Sequence, residues 1–176
     1  MARPPTFERR IPDGDEHPRL VCADCGFIQY ENPKVVVGAV VHAGDRILMC
    51  RRAIEPRRGY WTLPAGYLEM HEMPEAGAIR EAYEEARARI AIETLLAVYA
   101  VPRIGQVQLI FRARLAAPEI AAGPESLEVA LFTWDEIPWQ DVAFPTVRWA
   151  LHDFAETRAE TTFAVRRNHP GETGDH

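Results

Sequence analysis

The stretch GYLEMHEMPEAGAIREAYEEARA, residues 66 to 88, constrains this chain more tightly than any other part of it. Gly66 ends a short extended run and leaves the loop backbone open, and Pro74 suits the first turn of a helix. The spacing predicts a helix from there to about Arg89. On it Glu81, Glu84 and Glu85 stand at i, i+3 and i+4 and crowd one face. Carboxylates about 5 to 6 Å apart repel by roughly 3 kcal/mol at an effective dielectric near 20. A fold that keeps all three must therefore supply an arginine, bulk water or a bound cation. Arg80 is within reach of Glu84 four residues on and of Glu72 in the loop, so it can set the direction of the acids. Ala76, Ile79, Tyr83, Ala86 and Ile90 recur at helical spacing and are expected to face the core.

The flanking sequence is rich in strand signals. VVVGAVVHAGDRILMCRR is two β-branched runs around an Ala-Gly-Asp turn, a hairpin pattern. YWTLPAGYLE reads as a short strand broken by Pro64 and Gly66. IAIETLLAVYAVP and GQVQLIFRARL read as two strands divided by a turn at Pro102 to Gly105. AAPEIAAGPESLE reads as a loop, LEVALFTWDEIP as a strand that ends at a helix start, and FPTVRWALHDFAETRAE as an amphipathic helix with Val147, Leu151 and Phe154 on one side. NHPGETGDH is expected to be a mobile tail. Together these predict an α/β protein, an α/β/α sandwich with a mixed sheet over residues 34–162. A small ribbon-like appendage over 1–33 precedes it and a tail over 163–176 follows.

At 176 residues the chain suits one catalytic unit with a real core. Its net charge of −6 argues against a polyanion-binding surface, so no nucleic-acid partner is expected. No apolar run approaches the length of a membrane span and the N-terminus lacks a hydrophobic segment, which predicts no membrane partner and a cytoplasmic location. Cys22, Cys25 and Cys50 form an odd set that does not suggest a disulfide framework, as befits a reducing compartment. Cys50, in the strand ILMCRR, reads as a buried apolar residue, and Trp61 as a core aromatic.

The acidic stretch resembles the Nudix box, in which Gly, five residues, Glu, seven residues and Arg-Glu lead to a Glu-Glu pair. Gly66, Glu72, Arg80, Glu81, Glu84 and Glu85 all fall on it. The glycine of the motif after that pair is Arg87 here, which lets the helix be expected to run on through RARI. IPDGDEHPRLVCADCG, QYENPKVVVGAVV, RGYWTLPAGYLE, IGQVQLIF and GPESLEVALF extend the similarity to the ADP-ribose/FAD pyrophosphatase subgroup, over roughly residues 10 to 140. The resemblance implies that Glu81, Glu84 and Glu85 bind Mg²⁺ or Mn²⁺ with a backbone carbonyl from Gly66, Arg80 being structural. It implies a homodimeric enzyme that splits the pyrophosphate of a nucleoside diphosphate derivative, ADP-ribose or FAD, to AMP and a second phosphorylated product. Hard cations favour such oxygen ligands and offset the charge of bridging phosphates.

Glu125 and Glu128 then stand as candidate loop carboxylates for a base or further ligand, with Glu128 favoured. Arg51, Arg52, Arg57, Arg58 and Tyr60 stand as candidates for holding phosphate or stacking on adenine. Pro102 matches a proline of ADP-ribose hydrolases. NADH pyrophosphatase and nucleoside triphosphate hydrolase remain alternatives, as does a non-catalytic nucleotide sensor. Cys22-Ala-Asp-Cys25 is similar to one knuckle of a zinc ribbon, with His17 and Asp24 nearby. Tetrahedral zinc needs four ligands and Arg3 stands where the other pair would fall, so Zn²⁺ is an alternative and not the expectation.

Overall fold

The computed structural model describes residues 4–174. The chain divides into two compact units, Met1–Pro33 and Lys34–His176. In the first, β1 (Phe7–Arg10), β2 (Arg19–Cys22) and β3 (Ile28–Gln29) form an antiparallel sheet in that order. The β1–β2 turn is tied by Asp15, whose carboxylate accepts from Arg19 Nε at 2.8 Å and from the backbone of Glu16 and His17. Those contacts, the Arg19 hydrogen bond foremost, lower its pKa to about 2. Arg3 lies outside the described residues.

The second unit runs β4 (Lys34–Ala43), β5 (Arg46–Arg52), β6 (Trp61–Thr62), β7 (Ala65–Tyr67), α1 (Pro74–Ala86), β8 (Ile90–Val101), β9 (Gln106–Leu115), β10 (Ser126–Thr133) and α2 (Pro145–Thr157). Its mixed sheet has the order β10-β5-β4-β9-β8; β4 and β9 are parallel, the other neighbours antiparallel. The β4–β5 hairpin pairs at His42↔Ile47 and Ala43↔Arg46, next to its turn, and then parts. Beyond that point β6 takes the free edge of β5 and β7 that of β4. The parting opens the sheet into a cleft.

Strand alternation sends Val37, Ala39, Val41, Phe111 and Ala113 to the α1 side, and Val40, Met49, Leu96, Tyr99 and Ile110 to the α2 side. Val147, Leu151 and Phe154 of α2 complete the second layer, each buried apolar side chain contributing about 1.5–3 kcal/mol. The result is the expected α/β/α sandwich, with Trp61 and Cys50 buried.

Helix α1 departs from expectation in two ways. Its buried face carries Gly77, Ala78, Glu81, Ala82, Glu85 and Ala86. Ile79 and Tyr83 are 41% and 47% exposed, and Ala76 is exposed as well. Of the predicted stripe only Ala86 and Ile90, the latter already in β8, lie inside. Small residues let the helix sit close on the sheet, and that approach matters more here than the area a larger side chain would bury.

The helix also stops at Ala86 instead of continuing. Arg87 takes the left-handed conformation (φ 51°, ψ 18°) that the motif's glycine would take, and its N–H donates to Tyr83 O at 2.9 Å. That conformation costs a non-glycine residue about 1–2 kcal/mol, partly offset by about 0.5–1 kcal/mol from its guanidinium lying 5.4 Å from the Tyr83 ring centre. The 116–125 loop completes the cap: Ala121 N–H donates to Ala86 O and Gly123 N–H to Glu85 O, both at 2.9 Å.

The segment expected as a loose tail is docked over its described residues, which end at 174. Arg166 exchanges backbone bonds of 2.9 Å with Val98 and Leu96, so it adds a residue to the edge of β8. The Asn168 carboxamide spans both Ala100 N and Ala100 O at 2.8 Å, and Trp149 Nε1 donates to Glu172. A β-edge with open backbone groups gives even a polar, Gly- and Pro-bearing segment somewhere to bind. No helix among the described residues is long and apolar enough to cross a membrane.

Candidate active site

The site is built where β7 meets α1. Gly66 is paired with Val37, and a Cβ on it would lie 2.4 Å from the Glu81 carboxylate. Glycine is thus required here because the carboxylate occupies the space a side chain would need. A Cβ on Gly77 would likewise meet Glu72 and Val37 at 2.8 Å.

Arg80 organises the acids. Its Nε and Nη2 form a fork on Glu72 at 2.9 and 3.0 Å, Nη1 reaches Glu81 at 2.6 Å and Glu84 at 2.8 Å, and Nη2 also donates to Tyr67 O at 3.0 Å. A planar guanidinium with fixed donors suits this task; an ammonium does not. The Arg80 hydrogen bonds hold the Glu72 carboxyl below its ordinary range. Glu81 is driven the other way, because burial outweighs the help it receives from Arg80.

Glu85 is 6% exposed and its carboxylate accepts the Ala65 N–H at 3.2 Å. Burial raises its pKa to about 8; the Ala65 bond opposes this, the charge of Glu81 adds to it, and Arg52 lowers it. Glu72, Glu81 and Glu84 share one arginine, Glu81 being buried, and the buried Glu85 stands beside them without it; the donor set is oxygen only. This fits a hard divalent cation. Among the described residues no three His, Cys, Asp or Glu side chains converge as a finished cage. Mg²⁺ commonly takes one or two carboxylates and completes its shell with water and substrate phosphate.

Glu81, Glu84 and Glu85 face a cleft of about 790 Å³ that Gly66, Arg80 and Arg52 also line. Arg52 donates through Nε to Pro56 O at 2.8 Å, with its guanidinium 5.2 Å from the Phe144 ring centre. Of the loop acids, Glu125 lines the cleft. Glu128 is placed opposite Arg51 across β10 and β5 and pairs with it at 3.6 Å, outside the cleft lining. Tyr60 sits under Arg57, 5.3 Å from ring centre to guanidinium, and is outside the lining as well. Pro102 opens the short 3₁₀ turn Pro102–Ile104, which brings Ile104 rather than the proline to the cleft.

Sequence reasoning passed over Gln106, Gln108 and Phe144, all of which line the cleft. The signal for the glutamines was the alternation in QVQLIF, polar residues at the positions one face of a strand shares.

In the first unit, Cys22 is buried and Cys25 exposed. Backbone N–H groups of Cys25 and Asp24 lower the Cys22 thiol pKa. These two thiols are half of a tetrahedral zinc set, so the described ribbon does not by itself fit a closed zinc site. Cys50 belongs to the second unit, where burial pushes its thiol up.

Comparison with known proteins places this geometry. Residues 32–150 match the NUDIX domain model and residues 5–31 the Nudix N-terminal model. The crystal structure of a NUDIX hydrolase from Nitrosomonas europaea is 44% identical, with a TM-score of 0.87, covering 93% of this chain and 94% of that one. A MutT-like protein of Streptomyces ambofaciens is 38% identical over 102 residues, 58% of this chain and 64% of that protein. An ADP-ribose pyrophosphatase of Methanocaldococcus jannaschii is 28% identical over 113 residues, 62% of this chain and 67% of that protein. The match to the Streptomyces protein therefore spans less than two thirds of its length. With the acidic helix, its arginine brace and the clearing glycine built as the motif spacing requires, this chain belongs to the NUDIX hydrolase family.

Proposed function

We propose that the protein is a Mg²⁺-dependent hydrolase of nucleoside diphosphate derivatives, with ADP-ribose or FAD as substrate and AMP as one product. The observation that carries this reading is the single arginine shared by Glu72, Glu81 and Glu84 beside the buried Glu85, at the edge of a cleft that also holds Arg52. The similarity to an ADP-ribose pyrophosphatase supports the choice of substrate.

Glu81, Glu84, Glu85 and the Gly66 carbonyl would hold the divalent cation, which supplies charge neutralisation for the diphosphate and activation of a water. The chain's own residues do the rest. Arg80 keeps Glu81 and Glu84 aimed into the cleft. Arg52 places positive charge beside the phosphates, and Phe144 beneath it limits its motion. Glu125, on the rim, is the carboxylate that takes a proton from the attacking water; Glu128 is occupied by Arg51 and is assigned no chemical step. Homodimer formation and a cytoplasmic location belong to the same proposal.

The test is a screen of ADP-ribose, FAD, NADH and nucleoside triphosphates with Mg²⁺, using wild type, Glu85→Gln, Glu125→Gln and Glu128→Gln. ADP-ribose or FAD should be turned over. Glu85→Gln and Glu125→Gln should each lose about 100-fold or more in kcat, and Glu128→Gln should stay within a few-fold of wild type. Absence of turnover by wild type, or a Glu85→Gln enzyme as active as wild type, would overturn the catalytic reading.

A further inference from the structure

The cleft reaches beyond the acids to the α2 side of the sheet. There it is lined by Gln106, Gln108 and Ile110 of β9, Tyr67 of β7, and Phe144 and Val147 at the start of α2. Along β9, Val107 and Leu109 alternate with these glutamines, Leu109 packing with Phe111 on the α1 side while Ile110 packs in the α2-side core. Register places Val36 opposite both Tyr67 and Gln108, so the three residues form one row across β7, β4 and β9. Both carboxamides are half-buried beside apolar core, where a hydrogen-bond partner is favoured because an unpaired amide is costly.

Part of that demand is met internally. Gln106 Nε2 donates to the Tyr67 hydroxyl at 3.3 Å, and Gln108 Nε2 donates to Gln106 Oε1 at 3.3 Å. The relay engages both ends of the Gln106 carboxamide. It fixes Gln108, which has a second N–H and a carbonyl oxygen to offer. A coplanar donor and acceptor match an exocyclic amino group beside a ring nitrogen, the edge by which glutamine reads adenine. Phe144, Ile110 and Val147 supply apolar contact for a flat ring. Guanine, with more polar groups on its rim, would leave some of them unpaired against these side chains.

We propose that the α2-side end of the cleft is a nucleobase subsite, in which Gln108, held by the Gln106–Tyr67 relay, reads the amino edge of adenine while the diphosphate lies at the acidic end. This rests on the reading of the site as one for nucleoside diphosphate derivatives. It assigns base selection to a strand residue; the loop arginines and Tyr60 take no part in it.

The experiment compares ADP-ribose with its guanosine counterpart, and separately AMP with GMP in equilibrium binding, for wild type, Gln108→Leu and Gln108→Glu, with thermal melting of each. Wild type should favour adenine about tenfold in both assays. Gln108→Leu should raise KM for ADP-ribose about tenfold, keep kcat within threefold and erase the preference. Gln108→Glu presents acceptors only and should turn the preference toward guanine, whose N1–H and amino group both donate; it also serves as the decisive variant if the leucine protein does not fold. Unchanged KM and base preference in the variants, or a fall in kcat with KM constant, would overturn the subsite. If wild type hydrolyses neither of these nucleoside diphosphate sugars, nor FAD, the hydrolase reading fails, yet the binding assay still decides: AMP binding weakened by Gln108→Leu upholds the subsite, and AMP binding unaffected by it overturns it.

Discussion

Gly66→Ala isolates the part of the site that depends on clearance alone, since it leaves the backbone carbonyl of residue 66 in place. The new Cβ would stand 2.4 Å from Cδ, Oε1 and Oε2 of Glu81, whereas ordinary contact begins near 3.4 Å, so the carboxylate must retreat by roughly 1 Å. The displaced atoms are the end of a flexible side chain, and an off-rotamer adjustment costs about 0.5–1.5 kcal/mol, a small loss of stability. The chemistry is less tolerant. Glu81 is held by Arg80 at 2.6 Å, so its shift disturbs the same guanidinium nitrogen that binds Glu84. A misplacement of 1 Å lowers activity about 100-fold, or about 2.7 kcal/mol in barrier. The assay is kcat/KM with Mg²⁺ beside a thermal melt and a metal titration. The expected outcome is a Tm within a few degrees of wild type, a kcat/KM down about 100-fold and weaker metal dependence. Activity within threefold of wild type at unchanged Tm would refute the clearance argument, and so would an activity loss explained wholly by unfolding.

Other changes probe the supports of the site. A Cβ at Gly123 would come within 1.7 Å of Glu84 O, on the backbone of α1, so Gly123→Ala should destabilise by about 3 kcal/mol in chemical denaturation and lower activity in parallel. Arg87→Gly relieves the left-handed strain but loses the Tyr83 contact and adds freedom to the unfolded chain; stability should stay within about 1 kcal/mol and kcat should not change. A large gain in activity would show instead that Arg87 impairs the site. For pH, Glu85 has a folded pKa of about 8, above its unfolded value. Its protonated form therefore supports the fold below about pH 4.5, and that support is lost as pH rises toward about 8. Melts with a chelator should show a fall in Tm across this window that saturating Mg²⁺ diminishes, because the cation replaces the proton; a Glu85→Gln protein should lack this component.

Much of this protein was legible in its sequence because the signals were local. Apolar, β-branched runs bounded by turn signals located β4, β5, β8, β9 and β10, and the fixed intervals joining Gly66, Glu72, Arg80 and the three glutamates defined the strand, loop and helix on which the site stands. Tertiary packing decided what periodicity leaves open. Apolar spacing on α1 pointed to Ile79 and Tyr83, but close approach to the sheet required alanines, and so the acids of the same face were carried inward. Arg87 ended the helix in place of glycine because Ala121 and Gly123, more than thirty residues on, reach its last carbonyls. Glu125 rather than Glu128 met the cleft because the strand pairing sets Glu128 against Arg51. Likewise Gln108 became part of the cleft only through its register with Val36 and Tyr67, a relation between β7, β4 and β9 that no single segment encodes. Residue type and interval prescribed the chemistry, and the meeting of distant strands settled which side chains face it.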